Sequence, residues 1–561
     1  MFQMSAGVLI TERDLTNIVP AVSTSVGAFA GAFAWGPVMD PVLVSSENEL
    51  VSIFGKPTDG NFTSFLSAAN FLSYSNSLYV CRAEGDGALN AVVSGTAVAI
   101  NNRDAYDTTY ANGAGIVGEF AAKYPGAIGN SILVSMADTG MFATWVYKDE
   151  FDSAPSTSTY VSNAGGSSDE LHIIVIDQLG LITGVKGNIL EKFAYVSKAS
   201  DARKADGTNN YYKDVLNNTS RYIYWMDHPA IVDINWGTTA AGKTFTAMTA
   251  AITATLIGGV DDFAPSAGNV QDAFKIFDNS EVYDISLIVT GAVTPVVSKY
   301  VVDNVADVRK DCVVFISPST DTGGVITGVS AAAILADTLE YRTTDLNVDS
   351  SYAVLDSGWK YQYDRYNDKY RWIPLNGDIA GLCARTDYTN DSWWSPGGFN
   401  RGQIKNVVKL SFNPNQAQRD QLYKIGVNPV VSFPGTGTVL YGDKTLLSKP
   451  SAFDRINVRR LFITLEKAIA TAAKYTLFEF NDSFTRAQFK SMVEPFLRDV
   501  QGRRGIIEFR VVCDDTNNTG EVIDRNEFIG DIYIKPTRSI NFITLNFIAA
   551  RTSVSFDEIG G

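Results

Sequence analysis

The stretches YDISLIVTG (283–291) and DCVVFISP (311–318) flank the segment PVVSKYVVDNVADVRK (295–310). Both flanking stretches are short apolar runs of the kind that form buried strands. The apolar residues of the middle segment recur at the spacing of one helix face, at Val297, Tyr300, Val301, Val305 and Val308. A helix between two buried strands is typical of an α/β domain.

The same alternation appears nearer the N-terminus. Its strand patterns are VGAFAGAFAWGPV (26–38) and SLYVCRA (77–83), and its helix patterns are ENELVSIFG (47–55) and FTSFLSAANFLSYS (62–75). We therefore predict a discontinuous α/β domain formed by residues 23–92 and 200–372.

Residues 93–199 interrupt this domain with a different composition. They are rich in Gly, Ser, Thr, Asn and Asp, and strand-like runs such as SILVSM and LHIIVID are scattered among them. Strands joined by long polar segments are typical of β structure with surface loops. The composition predicts an all-β insertion that faces outward.

The C-terminal part has the most regular patterns, and we predict an α+β domain over residues 373–550. INVRRLFITLEKAIATAAKY and TRAQFKSMVEPFLRDV are amphipathic, and the second contains Pro495 and begins with a capping-box pattern at Thr485 and Gln488. GIIEFRVVC, GDIYIKP and SINFITLNFIAAR follow as strands. Just before this domain, the aromatic-rich run around Asn367 and Asp368 predicts a hairpin.

Short extended segments lie at both ends of the chain, in residues 1–22 and 551–561. AGVLITERDL and TSVSFDEI are too short to fold alone, so their backbone groups need a partner. They are edge strands of their own domain, frayed ends, or arms that add to a sheet edge on another chain. The residues that would form such arms are Gly7, Val8, Leu9, Ile10, Thr11, Glu12, Ser553, Val554, Ser555, Phe556, Asp557 and Glu558.

Composition excludes several classes of protein. The 561 residues carry a net charge of −15, which argues against nucleic acid as the main partner, because phosphate binding needs a basic face. The doublets Arg459-Arg460 and Arg503-Arg504 are too short to change this. No apolar run reaches the length of a membrane span, and we find no secretory signal pattern, so we predict no membrane insertion.

Cysteine and histidine are scarce. The four cysteines, at positions 81, 312, 383 and 513, are far apart and lie in mostly apolar segments, which predicts buried free thiols. A His-based metal site or a catalytic triad would depend on His172 or His228, and both patterns favour structural roles. We predict no catalytic site, no metal site and no cofactor.

One stretch, GTTAAGKT (237–244), matches the phosphate-binding loop pattern G-x-x-x-x-G-K-[ST]. Lys243 would reach the outer phosphates and Thr244 would hold Mg²⁺. AIVDINW reads as the preceding strand, and the apolar spacing from Phe245 to Leu256 as the following helix. No later strand ends in the acidic residue that such a site needs, and HIIVID, which ends at Asp177, precedes the loop. We therefore interpret the match as a turn.

The adjacent carboxylates of LIGGVDD, Asp261 and Asp262, have the residue type of a calcium loop. Calcium loops also need a spaced series of oxygen ligands, which this stretch lacks. We interpret it as a turn.

The stretch WWSPGGFNRGQI (393–404) resembles the contractile tail sheath proteins of bacteriophages. GAFAGAFAWGP, LIGGVDD, RKDCVVFISP and GVNPVVSFPGTGTVLYGDKTL share the resemblance, in matching order over nearly the whole chain. The opening strand of the family is usually written around Pro-Gly-Val-Tyr, and here it is Ala6-Gly7-Val8-Leu9. The resemblance is weakest over residues 93–199.

The resemblance implies a structural subunit rather than an enzyme. Subunits of this family stack as hexameric rings around an inner tube, with the C-terminal domain facing the tube and inserted domains outside. Their terminal arms add strands to a neighbour's sheet. The extended sheath is metastable, and it contracts on a baseplate signal to drive the tube through the host envelope.

The implied partners are other copies of the chain, the tail tube protein, and baseplate and tail terminator proteins. The implied location is the virion tail, after synthesis and assembly in the host cytoplasm. One alternative is the sheath of a related injection device, of bacteriocin or secretion type. The other, from a different class, is a P-loop ATPase.

Overall fold

The computed structural model describes residues 23–113, 115–319, 330–541 and 543–544. The chain divides into two compact units. The larger unit lies within Val22–Ser392 and Pro396–Ile456, and the smaller unit includes Trp393–Ser395 and the described residues from Asn457 onward. Both predicted arms lie outside the described residues.

The strands of the described residues fall into several separate sheets. They are β1 (Gly27–Gly31), β2 (Val42–Val44), β3 (Leu78–Arg82), β4 (Phe120–Ala122), β5 (Ile132–Asp138), β6 (Glu170–Asp177), β7 (Asn188–Ser197), β8 (Ile223–Trp225), β9 (Ile252–Thr255), β10 (Leu287–Val289), β11 (Val313–Ile316), β12 (Ala353–Asp356), β13 (Trp359–Asp364), β14 (Lys369–Pro374), β15 (Lys409–Leu410), β16 (Val427–Asn428), β17 (Val430–Phe433), β18 (Gly437–Leu440), β19 (Ile506–Val512) and β20 (Asp531–Pro536).

The α-helices of the described residues are distributed over both units. They are α1 (Glu47–Phe54), α2 (Phe62–Leu72), α3 (Arg103–Thr109), α4 (Thr139–Phe142), α5 (Thr159–Asn163), α6 (Tyr212–Thr219), α7 (Ala267–Lys275), α8 (Pro295–Val301), α9 (Asp307–Arg309), α10 (Ala331–Glu340), α11 (Asn376–Thr389), α12 (Gln416–Lys424), α13 (Ile456–Ala473), α14 (Ser483–Gly502) and α15 (Gly520–Asp524). Two π-helical segments, Val302–Ala306 and Tyr341–Leu346, follow α8 and α10. Short 3₁₀ segments are Ala127–Ser131, Lys148–Glu150, Ile276–Asp278, Ala452–Asp454 and Lys474–Thr476.

A seven-stranded sheet forms the core of the larger unit, in the order β16-β12-β11-β10-β1-β3-β2. Neighbouring strands are parallel, except that β2 is antiparallel to β3. Helices α7 and α8 pack against one face of this sheet. Helix α2 packs against β1 and β3 on the opposite face, where the Phe71 ring lies over Gly27. Strands covered on both faces are apolar throughout, which is why the sequence shows continuous runs here. The predicted α/β character is confirmed.

The helix predicted over residues 295–310 is observed, with a π-helical turn between α8 and α9. It ends at Lys310, whose φ of 63° lies in the left-handed region. Val297, Val301 and Val305 are buried on the sheet as predicted. Val308 is 65% exposed, so its assignment to the buried face was wrong.

The inserted part of the larger unit contains the sheet β7-β6-β5-β9 and the pair β4–β8. Because β9 pairs antiparallel with β5, a boundary at residue 199 would divide this sheet. The insertion instead closes at Leu89 and Val260, whose backbones exchange two hydrogen bonds of 3.0 Å. We call this crossing the neck. Helices α3, α4 and α5 lie within residues 93–199, so the all-β prediction for that stretch was also wrong.

The predicted boundary at residue 373 also needs correction. Helix α11 contacts β10, β11 and β12, and β16 pairs with β12, so residues up to 456 complete the seven-stranded sheet. The smaller unit contains nearly all of α13, together with α14, α15 and the β19–β20 hairpin. Helix α14 begins before the predicted capping box, because Asp482 accepts a hydrogen bond from the Thr485 amide at 2.8 Å. Pro495 lies inside this helix.

The predicted hairpin around Asn367 and Asp368 is confirmed, since β13 and β14 pair antiparallel from Trp359↔Pro374 to Asp364↔Lys369. Within the described ranges, no helix is both long and apolar enough to cross a membrane.

Candidate assembly surface

The β19–β20 hairpin of the smaller unit is a sheet of only two strands among the described residues. Ile506 and Val511 are buried, and β19 packs against α14. Ile507 and Tyr533 are exposed. Neither strand has a further strand beside it in the described part of the chain, so each has an edge to which another strand can add. This pair of edges is the candidate assembly surface.

The predicted arm residues, Gly7–Glu12 and Ser553–Glu558 of the sequence, all lie outside the described residues. Their contacts with a neighbouring chain therefore stay a prediction. The structure supplies the kind of edge that such strands would use.

The phosphate-loop match is placed in the inserted part, as an exposed turn with no helix after it. The predicted strand before the turn and the predicted helix after it were both wrong. Instead, Phe245 and Met248 are buried in hydrophobic clusters of the inserted part, and the chain continues into β9. A helix N-terminus is what concentrates the anion-binding N–H groups of a phosphate loop, and it is missing between Lys243 and Ser266.

The backbone amides of this turn are also occupied by the chain itself. Gly237 N–H donates to Lys198 O, Gly242 N–H to Ala164 O, and Lys243 N–H to Ala240 O, over 2.9, 2.9 and 3.2 Å. These amides cannot cradle a phosphate without breaking the local structure. The geometry supports the interpretation of the match as a turn.

We expect Lys243→Ala to leave unchanged the polymerisation of subunits that the resemblance implies. The exposed Lys243 side chain has no anion site to complete. Equilibrium dialysis of the purified subunit with Mg-ATP measures nucleotide binding, and electron microscopy measures polymerisation. Micromolar nucleotide binding that this substitution abolishes would contradict the interpretation.

The carboxyl edge of the seven-stranded sheet, where open α/β folds hold their ligands, is filled by the chain's own side chains. Asn376 lies at the start of α11. Its side-chain Nδ2 donates to Gly291 O at 2.8 Å, and its backbone N–H donates to Ser317 Oγ at 2.9 Å. Ser317 Oγ in turn donates to Asp356 Oδ2 at 2.7 Å. Complete burial raises the pKa of Asp356 to about 8. This chain of hydrogen bonds occupies the crevice and attaches α11 to the sheet.

Asp261 and Asp262 lie beside the neck, and backbone amides satisfy their carboxylates. Ala127 N–H donates to Asp261 at 2.8 Å, and Gly87 N–H donates to Asp262 at 3.0 Å. Asp261 also lies near the fully buried Arg82, which forms an ion pair with Glu84. Burial raises the pKa of Glu84 to about 7. The Asp262 bond joins the two chain segments of the neck, and the Asp261 bond joins one of them to the inserted part. We find no cluster of three or more metal-ligand residues in the described ranges.

The cysteines match the prediction of buried free thiols, and both histidines make contacts with neighbouring aromatic residues. All four cysteines are free and buried. His172 is stacked on Phe151 and accepts a hydrogen bond from the Tyr195 amide, and His228 pairs with Tyr212 Oη at 2.6 Å. Burial lowers the pKa of both histidines.

Comparison with known families gives three matches. The family models described as phage tail sheath protein central domain, phage tail sheath C-terminal domain and tail sheath protein Gp18 domain III N-terminal region match residues 264–446, 448–550 and 24–83. The tail sheath proteins of Vibrio phage KVP40 and Enterobacteria phage T4 are 34% and 33% identical, with 100% of this chain and of each relative covered.

Solved structures agree in fold. The sheath tail protein Lin1278 from Listeria innocua has a TM-score of 0.53 at 12% identity, covering 92% of this chain and 96% of that one. The helical sheath of the anti-feeding prophage in the contracted state has a TM-score of 0.51 at 13% identity, covering 98% and 100%. The sequence similarity to the two phage proteins extends over the full length of this chain and of each relative, and the solved structures agree in fold. The chain therefore belongs to the phage tail sheath protein family.

Proposed function

We propose that this chain polymerises as stacked hexameric rings around an inner tail tube, and that the sheath contracts from a metastable extended state to drive the tube through the host envelope. The full-length similarity to tail sheath proteins carries this proposal. The energy would be stored at assembly, as a poorer set of subunit contacts than the contracted state offers, so that contraction needs no nucleotide.

The open edges of β19 and β20 support a specific mode of connection. Residues 7–12 and 553–558 of neighbouring copies would add as strands to these edges, in the manner of β-augmentation. Such a ladder persists while the linkers beside it reorient, which suits a lattice that changes its geometry. The further partners would be the tail tube protein and the baseplate and tail terminator proteins. The assembly would be part of the virion tail, formed in the host cytoplasm.

Electron microscopy of the purified full-length chain tests the proposal directly. We expect tubular polymers with a hollow centre and a six-fold cross-section. A chain that stays monomeric over a range of concentration and salt, including in the presence of its tail tube protein, would contradict it. The injection-system alternative is supported by likeness in fold alone, whereas the phage relatives are similar in sequence.

We also propose that the inserted part beyond the neck lies on the outside of the sheath and is dispensable for the lattice. Because Leu89 and Val260 are hydrogen-bonded to each other, a short Gly-Ser linker can replace residues 90–259. We expect the shortened chain to be less stable but to form tubes, since Trp35 and Arg82 lose their contacts with the insertion. Trp35→Ala in the full chain is the matched control. A folded, shortened subunit that forms no tubes would place the insertion in the lattice.

A further inference from the structure

A short segment of the smaller unit exposes five large apolar side chains that do not pack into a hydrophobic core. It is YTLFEFNDSF, residues 475–484, which joins α13 to α14 and includes the first two residues of α14, and we call it the aromatic loop. The exposed fractions of its apolar side chains are Tyr475 75%, Leu477 62%, Phe478 105%, Phe480 85% and Phe484 73%. An apolar concentration of this kind marks a protein contact.

The aromatic loop has a defined shape. Phe478 has a φ of 68°, in the left-handed region that a bulky residue rarely adopts. Asn481 Nδ2 donates to Glu527 O at 2.8 Å, and Asp482 caps α14. The loop therefore holds its phenyl rings in solvent at a cost in backbone strain, which is consistent with a binding role.

The larger unit carries a second exposed aromatic surface, on the β13–β14 hairpin. We call it the aromatic face, and its residues are Tyr361, Tyr363, Tyr370, Trp372 and Lys409. Tyr361 lies opposite Trp372, with ring centroids 4.8 Å apart, and Tyr363 lies opposite Tyr370, at 5.3 Å. The Lys409 ammonium lies 4.9 Å from the Tyr361 ring. The rings form a continuous platform, with the Lys409 ammonium beside Tyr361 and the Asp368 carboxylate accepting a hydrogen bond from Tyr363 Oη at 2.6 Å.

The opposite side of this hairpin is buried, so only the aromatic face is open to a partner. Lys360 and Asp364 point into the unit, and Lys360 forms an ion pair with Asp378 there. Within the described residues, Lys409 of the aromatic face has no carboxylate partner, and Glu479 of the aromatic loop has no cationic partner.

We propose that the aromatic loop of one copy docks on the aromatic face of a neighbouring copy, with Glu479 of the first copy paired to Lys409 of the second. This inference rests on the proposed function and names one interface of the lattice. Two loops meeting each other would oppose like Glu479 charges, and two faces meeting would oppose like Lys409 charges. Loop to face is the pairing that is apolar and complementary in charge. It is a heterologous contact, which is the kind that generates rings and helical arrays.

Charge reversal tests the pairing. We expect Glu479→Lys and Lys409→Glu each to raise the protein concentration needed for tube formation by roughly tenfold or more, because each places like charges in an apolar contact. The double variant, with both charges exchanged, should return close to the wild-type value. Glu521→Lys and Lys449→Glu, exposed residues outside both surfaces, are matched controls and should have little effect. Both tested residues are exposed, so thermal unfolding of the free subunits should change little, and Lys409→Glu should lose only the exposed contact of its ammonium with the Tyr361 ring.

Cross-linking gives a second and independent measurement. A chain with Phe478→Cys and Tyr363→Cys should form disulfide-linked chains of subunits on oxidation of assembled tubes, because a disulfide needs Cα atoms within about 7 Å. Either cysteine alone should form no such chains. If wild-type tubes form while the single charge variants assemble normally and no cross-links appear, this inference is wrong and the proposed function stands. Variants that form normal sheath polymers but no longer bind the tail tube protein would assign the aromatic loop to that partner instead.

Discussion

Deletion of residues 552–561 should yield a folded, monodisperse subunit that forms no tubes at any concentration at which the full chain polymerises. Val554, Phe556 and their alternating polar neighbours have the pattern of a strand with one buried face. Each ladder hydrogen bond would contribute little, on the order of 1 kcal/mol net, but in the proposed lattice the ladder would be repeated at every subunit of every ring. Removing it from all subunits would then remove the connection between them. Electron microscopy and sedimentation measure the loss.

Two substitutions at one position distinguish the contribution of the ladder hydrogen bonds from that of the side chains. Val554→Pro removes one backbone donor and should abolish tubes like the deletion, whereas Val554→Thr keeps the donor and the strand propensity and should assemble. Tubes of normal length that contract normally, built from the deleted chain, would contradict the role of the C-terminal arm.

Asp378→Leu should cost the larger unit about 3–5 kcal/mol of stability, because it leaves Lys360 charged and unpaired in the interior. The two side chains are buried and form an ion pair of 2.9 Å, and Tyr74 Oη also donates to Asp378. Burial lowers the pKa of Lys360, so part of the cost appears as deprotonation of the lysine. The midpoint of urea unfolding, followed by tryptophan fluorescence, measures the effect.

Two further variants identify the cause. Lys360→Met combined with Asp378→Leu removes both charges and should recover most of the loss. Lys369→Met breaks an ion pair with Asp59 in which both side chains are exposed, and it should cost less than about 1 kcal/mol. An Asp378→Leu midpoint as close to wild type as that of Lys369→Met would show that the buried pair contributes no more than a surface pair.

Local patterns predicted the elements whose residues carry their own signal. Helices α1 and α2 and strand β3 lie within the predicted stretches, and the helix of residues 295–310 was correct except for Val308. Periodicity reports which residues face a core, as in α1, where Leu50 and Phe54 are buried. Helix α2 and strand β3 are buried on nearly all sides, and apolar residues predominate in their sequences. Val308 has the right spacing but lies in the last turn, where the helix leaves the sheet.

Pairing over long distances in sequence could not be predicted in this way. Nothing in ITAT (252–255) indicates that it joins a strand more than a hundred residues earlier, and β16 is only two residues long. The predicted boundary at residue 199 was placed at a change of composition and that at residue 373 at a change of local pattern, and neither kind of change need coincide with the end of a sheet. The phosphate-loop match was interpreted as a turn, and the structure shows that so short a pattern occurs without the helix that a phosphate site requires.

The aromatic loop was missed for a different reason. Within YTLFEFNDSF, apolar and polar residues are interspersed, a pattern that also fits a strand or the continuation of a buried helix face. Sequence alone does not distinguish an apolar residue that faces its own core from one that faces another molecule. Only the exposed fractions of Phe478 and Phe480 reveal the difference.

The neck has a consequence for how such chains diversify. A segment that enters and leaves through two hydrogen-bonded residues can be exchanged for any domain whose ends lie a few ångströms apart, and the seven-stranded sheet would keep its register. With the inserted part on the outside of the sheath, as proposed, recombination at Leu89 and Val260 would give a virion a new outer surface in one step. For the engineer, the same two residues would then be attachment points for displaying a foreign protein many times along one particle.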